Sequence, residues 1–130
     1  MIMTWLFVWI WWFFGAISRM YMTKLGAFLF WHHFPYGTLM VNWLWSFIIG
    51  FLFWIFQIWK LDTHYKSMLT TGFLWALTTY STFAFESFSM IDRWNYEQFI
   101  VNISLNLVWT ILLAWLGFYL GSYFSKKYGN

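Results

Sequence analysis

A chain of 130 residues that is 62% hydrophobic and 8% charged, with mean hydropathy +0.61, carries more apolar surface than a soluble domain of its size can bury. It reads as an all-α integral membrane protein: about four stretches reach the roughly 20 apolar residues a spanning helix needs, leaving no length for a soluble domain or soluble enzyme. The net charge of +3 falls at helix ends and in the C-terminal tail, which suits lipid headgroups rather than nucleic acid, and the absence of cysteine excludes disulfides, thiol chemistry and thiolate metal sites.

The first segment runs from about Ile2 to Met22, with the small residues Gly15, Ala16 and Ser18 near its end and Arg19 at its edge. Small residues at helical spacing suit close helix contact. The segment lacks a basic n-region and a small-residue cleavage site and is longer than a signal h-region, so it is read as a retained span. In the following linker, Thr23 to Phe34, His32 and His33 are adjacent and have no third ligand nearby, which points to an interfacial loop rather than a metal site.

The second segment, about Tyr36 to Trp59, opens beside the chain's one proline, Pro35, whose missing N–H costs nothing at a helix start. Thr38, Asn42 and Ser46 recur every four residues and share one helix face. An asparagine at membrane depth can hydrogen-bond a neighbouring helix or offer its NH₂ to a permeating anion. Lys60 to Lys66 reads as a short charged loop.

The third segment, about Ser67 to Ile91, carries a knot of hydroxyls: Thr78, Thr79, Ser81 and Thr82, with Tyr80 and Phe83 among them and Glu86 a turn on. Lipid offers such groups no partners, so the knot must face protein or a wet path. Ser and Thr side chains also compete for backbone groups, and Thr is stiff at χ1, so the expectation is a helix broken at mid-membrane. Broken backbone at that depth is tolerated where it lines a cavity or binds an ion. The fourth segment, about Gln98 to Tyr123, repeats the four-residue polar spacing with Asn102, Asn106 and Thr110.

With the N-terminus inside, four basic residues (Lys60, Lys66, Lys126, Lys127) lie on the inner side and three (Arg19, Lys24, Arg93) on the outer. So weak a bias does not fix orientation, and a chain that inserts both ways can pair with its inverted copy. Four spans are also few to enclose a path, which again favours a dimer.

The stretches GAISR in segment 1, FPYGTLMVN in segment 2 and ALTTYSTFAFES in segment 3 resemble the Fluc (CrcB) fluoride channels, and the similarity covers most of the chain. The resemblance implies four transmembrane helices in an antiparallel, dual-topology homodimer of the cytoplasmic membrane, passing fluoride passively through two pores. It further implies a structural sodium ion at the dimer centre, held by backbone carbonyls that fall on Trp75 and Thr78. Asn42 then matches a pore-lining amide, and Phe83 the second of two aromatics whose ring edges face fluoride. Tyr80 stands where the first is usually Phe. Ser81 and Thr82 lie on a hydroxyl track beside the pore, Glu86 matches an acidic residue ending the motif, and Arg19 an arginine near the vestibule. Thr38, Ser46, Asn106 and Thr110 are further candidates for the polar track. Several donors of modest strength suit a small, strongly hydrated anion better than one strong cation, which would hold it. Amide NH₂, hydroxyls and electropositive ring edges are donors of that kind.

Trp9, Trp11, Trp12, Trp43, Trp45, Trp54, Trp75, Trp94 and Trp109 stand where the resembled family typically has glycine, with flanking residues intact. One explanation is a source that reads UGA as glycine, its gene written out as if UGA meant tryptophan; the other is a lineage or design rich in interfacial tryptophan. A rival function is a small multidrug-resistance-like, proton-coupled exporter, but that chemistry needs a carboxylate in segment 1, which has none. A scaffolding bundle would not need polar stripes on three segments, and four spans are few for a fluoride–proton antiporter. A degenerate subunit of a heterodimeric fluoride channel also remains open.

Overall fold

The computed structural model describes residues 2–29, 34–58, 62–77 and 79–128. All regular structure among them is helical: α1 (Ile2–Leu29), α2 (Tyr36–Ile58), α3 (Thr63–Ser67), a π-helical stretch (Met68–Leu74), α4 (Trp75–Leu77), α5 (Tyr80–Asp92) and α6 (Tyr96–Tyr128). Two of these, over Tyr36–Phe56 and Tyr96–Phe124, are long and apolar enough to cross a membrane. Helix α1 has 28 residues and continues past Met22 through part of the expected linker. Gly26 lies in that extension, and a Cβ there would collide with the backbone of Gly37, so the absent side chain lets α1 end against the start of α2. His32, His33 and Lys60 lie outside the described residues.

Helix directions follow from which residues meet. Asn42 bonds Asn106, the Trp43 indole bonds the Leu105 carbonyl, Gly50 abuts Ala114, and Trp54 packs on Gly121. Partner numbers rise together, so α2 and α6 run parallel. The same holds for α1 and the third segment: Thr4 meets His64, Gly72 meets Val8 and Trp11, and Gly15 meets Phe73 and Ala76. By contrast Ser87 on α5 meets Asn102 on α6 across a tight turn, an antiparallel pairing. For α2 and α6 to be parallel, the chain between them must travel back along the bundle, which the divided third segment does.

That segment is divided for local reasons. The Thr70 hydroxyl donates to the Lys66 carbonyl (2.8 Å), the acceptor that the Thr70 amide would use in an α-helix, and the ladder there widens to π spacing. Helix α4 stops at Leu77 and α5 starts at Tyr80, with Thr79 between them at φ −129°, ψ 47°. Thr78 lies outside the described residues. At its far end α5 closes in a Schellman turn: Asn95 N–H donates to the Met90 carbonyl (2.8 Å) and Trp94 N–H to that of Ile91 (3.0 Å), with Trp94 at φ 59°.

The interior mixes apolar residues such as Leu39, Val41 and Leu77 with polar ones, and the exterior is apolar. Thr38, Thr79, Ser87, Asn102 and Asn106 are buried, while large apolar residues such as Trp9, Phe13, Phe85, Ile111 and Trp115 are exposed. A bundle with polar groups inside and an apolar exterior is a membrane protein, since lipid replaces water as the outer solvent.

Candidate functional site

The site is the place where the α4–α5 interruption meets α2 and α6. The Thr79 amide, which in an unbroken α-helix would close on the Trp75 carbonyl, points instead at Asn42 Oδ1 (3.4 Å), and the Thr79 hydroxyl donates to the same oxygen (3.1 Å). Asn42 Nδ2 donates to Asn106 Oδ1 (2.9 Å). Asn106 Nδ2 donates to both the backbone carbonyl and the Oδ1 of Asn102 (3.0 Å each), and Asn102 Nδ2 donates to Ser87 Oγ (3.1 Å). The result is one hydrogen-bonded chain through α2, α5, α6 and the interruption. Thr79, Asn106, Asn102 and Ser87 are buried, and Asn42, between Thr79 and Asn106, is half-buried. Paired amides at depth satisfy one another where lipid could not.

Beside this chain lies a cleft of about 460 Å³, lined by Thr38, Glu86, Ser89, Arg93, Asn95 and Gln98 among others. Within it the Thr38 hydroxyl donates to Glu86 Oε1 (2.8 Å). Arg19 is half-buried on α1 and does not line the cleft, whereas Arg93, at the α5 turn, does.

The remaining sequence candidates divide by helix. Tyr80 and Phe83 pair with each other at the start of α5, ring centroids 5.9 Å apart and planes at 51°, and Tyr80 is 80% exposed. Ser81 is exposed and Thr82 half-buried on the same turn. Ser46 is half-buried on the Asn42 face of α2. The Thr110 hydroxyl turns back on its own helix, donating to the Asn106 carbonyl and to that of Leu107 (3.2 Å). Ser87 was not among the sequence candidates; its only signal is a hydroxyl on the α5 turn after Glu86, and its partner lies on another helix.

No group of three or more His, Cys, Asp or Glu comes together among the described residues, so a metal here would rest on carbonyl and hydroxyl oxygens.

Residues 6–118 match the family described as CrcB-like protein, Camphor Resistance (CrcB). The chain is 41% identical over 117 residues to a protein of Dehalococcoides mccartyi named "Fluoride-specific ion channel FluC", covering 89% of this chain and 90% of that protein. Proteins with the same name from Campylobacter lari (41%) and Campylobacter jejuni (44%) match over 106 residues, 82% of this chain and 87% of each relative.

Proposed function

The chain belongs to the CrcB-like family, and on that premise we propose that it is a fluoride-selective passive channel exporting fluoride across the cytoplasmic membrane. It is not an enzyme. The observation that carries the reading is the meeting of the Asn42 amide with Thr79 at the α4–α5 interruption, in a chain whose relatives are named fluoride channels. A membrane-buried amide with one N–H engaged by Asn106 keeps a second N–H for a passing anion.

The parallel pairing of α2 with α6, and of α1 with the third segment, supports four crossings in up–down–up–down order with the interruption at mid-membrane. In this reading Ser81, Thr82 and the ring edges of Tyr80 and Phe83 continue the donor path from Asn42, and Thr38, Ser46, Asn106 and Thr110 belong to the polar lining. Arg19 stands near the vestibule and Glu86 ends the path. Tyr80 is exposed in the single chain, which suits its burial against a second, inverted copy in an antiparallel homodimer with two pores. The backbone carbonyls of Trp75 and Thr78 would hold a structural sodium ion at the centre of that dimer, fixing the two interruptions against each other.

The test is fluoride and chloride efflux from liposomes. It uses the chain as written beside a version with glycine at Trp9, Trp11, Trp12, Trp43, Trp45, Trp54, Trp75, Trp94 and Trp109. Fast fluoride efflux without chloride efflux is expected from at least one. Absence of fluoride efflux from both would sink the homodimeric channel and leave the heterodimer subunit to be tested with a sister chain.

A further inference from the structure

The hydrogen-bonded chain through Asn42 has a direction, and the direction is set by groups that cannot change roles. A side-chain amide can present either its oxygen or its NH₂, and interchanging them leaves its shape nearly unchanged. Here the choice is imposed from both ends. The backbone N–H of Thr79 can only donate, so it holds Asn42 Oδ1. The backbone carbonyl of Asn102 can only accept, so it holds Asn106 Nδ2. Between these anchors Asn106 must turn its Oδ1 to Asn42, and Asn42 must turn its Nδ2 to Asn106. Asn106 Nδ2 faces two acceptors on Asn102, its backbone carbonyl and its Oδ1, and Asn102 is itself held by Ser87. Asn42 is left with its oxygen occupied and one N–H to present.

We propose that Asn106, Asn102 and Ser87 are positioning residues that lock the Asn42 amide with its N–H, and never its oxygen, toward the ion path. The proposal rests on the channel reading above and deepens it. An unlocked Asn42 would spend part of its time presenting a carbonyl, which repels an anion and attracts cations. The role of Asn102 and Ser87 is therefore exerted through Asn42, although neither touches the ion.

The experiment measures fluoride efflux in whichever of the two backgrounds conducts, with Asn106→Leu, Asn102→Ala and Ser87→Ala. Asn106→Leu removes the acceptor of Asn42 Nδ2 and is expected to lower flux by roughly tenfold or more, Ser87→Ala by roughly two- to threefold, and Asn102→Ala by an amount between them. The Ser87 variant removes one oxygen at the far end of the chain and keeps the test open if the Asn106 variant fails to fold. Side-chain amide NMR supplies the readout that a purely structural role would not move. In the parent, the two Asn42 Nδ2 protons should be distinct and one should shift with added fluoride. In the variants they should approach each other and lose the fluoride response. Unchanged flux and unchanged Asn42 signals in folded variants would overturn the lock while leaving the channel intact. A parent that conducts nothing in either background would overturn the homodimeric channel reading and the lock with it.

A second inference rests on a separate observation. Trp94 is the only non-glycine residue with positive φ among the described residues, and it occupies the left-handed position of the Schellman turn, where a side chain crowds the following carbonyl. Elsewhere the indole N–H groups of Trp45 and Trp54 are buried without a hydrogen-bond partner. Tryptophans also outnumber glycines, 13 to 8, against the usual order in proteins. We infer that positions 94, 45 and 54 are glycine in the protein as its source makes it, through a UGA codon read as glycine. Mass spectrometry of the native protein decides this. Peptides spanning 39–56 and position 94 should carry glycine masses, and tryptophan at 94 would overturn the inference.

Discussion

Two helix contacts hold this molecule in different ways. Along α2 and α6 the backbones themselves touch: a Cβ at Gly50 would collide with the Ala114 carbonyl, and one at Gly117 with the Phe47 carbonyl. Aromatic rings close the seam on either side, Trp43 on Trp109 and Trp54 on Phe118. Helix α5 has no glycine, presents Tyr80, Phe85 and Phe88 outward, and is held to its neighbours by side-chain bonds from Thr38 to Glu86 and from Asn102 to Ser87. In lipid, where apolar burial drives no association, close backbone packing supplies strength, whereas single polar contacts supply position. The α2–α6 seam is the scaffold, and α5 is the part whose placement can be tuned by one hydrogen bond.

The largest effect should come from breaking the seam. Gly117→Leu forces a branched side chain into the α2 backbone and is expected to cost about 3 kcal/mol or more, read as loss of folded, monodisperse protein in detergent unfolding. A smaller effect of opposite sign is expected where α5 ends: Trp94→Gly relieves the left-handed φ and should stabilise by about 1–2 kcal/mol in the same assay. Thr38→Val removes the hydroxyl that holds Glu86 and should cost about 1 kcal/mol, with the chemical shifts of α5 moving more than those of the α2–α6 seam. Phe88→Ala, on the outward face of α5, should stay within about 0.5 kcal/mol for the single chain. A larger loss, appearing only at concentrations where copies associate, would mark that face as covered by a second copy.

The two polar stripes were legible in the chain because helical periodicity is a local property. The four-residue spacing of Thr38, Asn42 and Ser46, and of Asn102, Asn106 and Thr110, placed two polar stripes, and the structure joins them at Asn42–Asn106. The hydroxyl knot marked the stretch where α4 gives way to α5. Periodicity could not separate Thr110, whose hydroxyl bonds its own helix, from Asn106, whose amide reaches across, because both sit on the same face. Nor could it find Ser87, since a hydroxyl becomes informative only when its partner on another helix is known.

Composition and spacing by themselves determined a membrane-embedded helical bundle and its polar faces, because hydropathy and the 3.6-residue repeat are written along the chain. Tertiary structure decided the parallel pairing of α2 with α6, the π-helical stretch and the left-handed turn at Trp94. It also decided which end of each amide faces which neighbour. Those features depend on donors and acceptors far apart in sequence, and an amide has no direction until a backbone group that can only donate, or only accept, is brought against it.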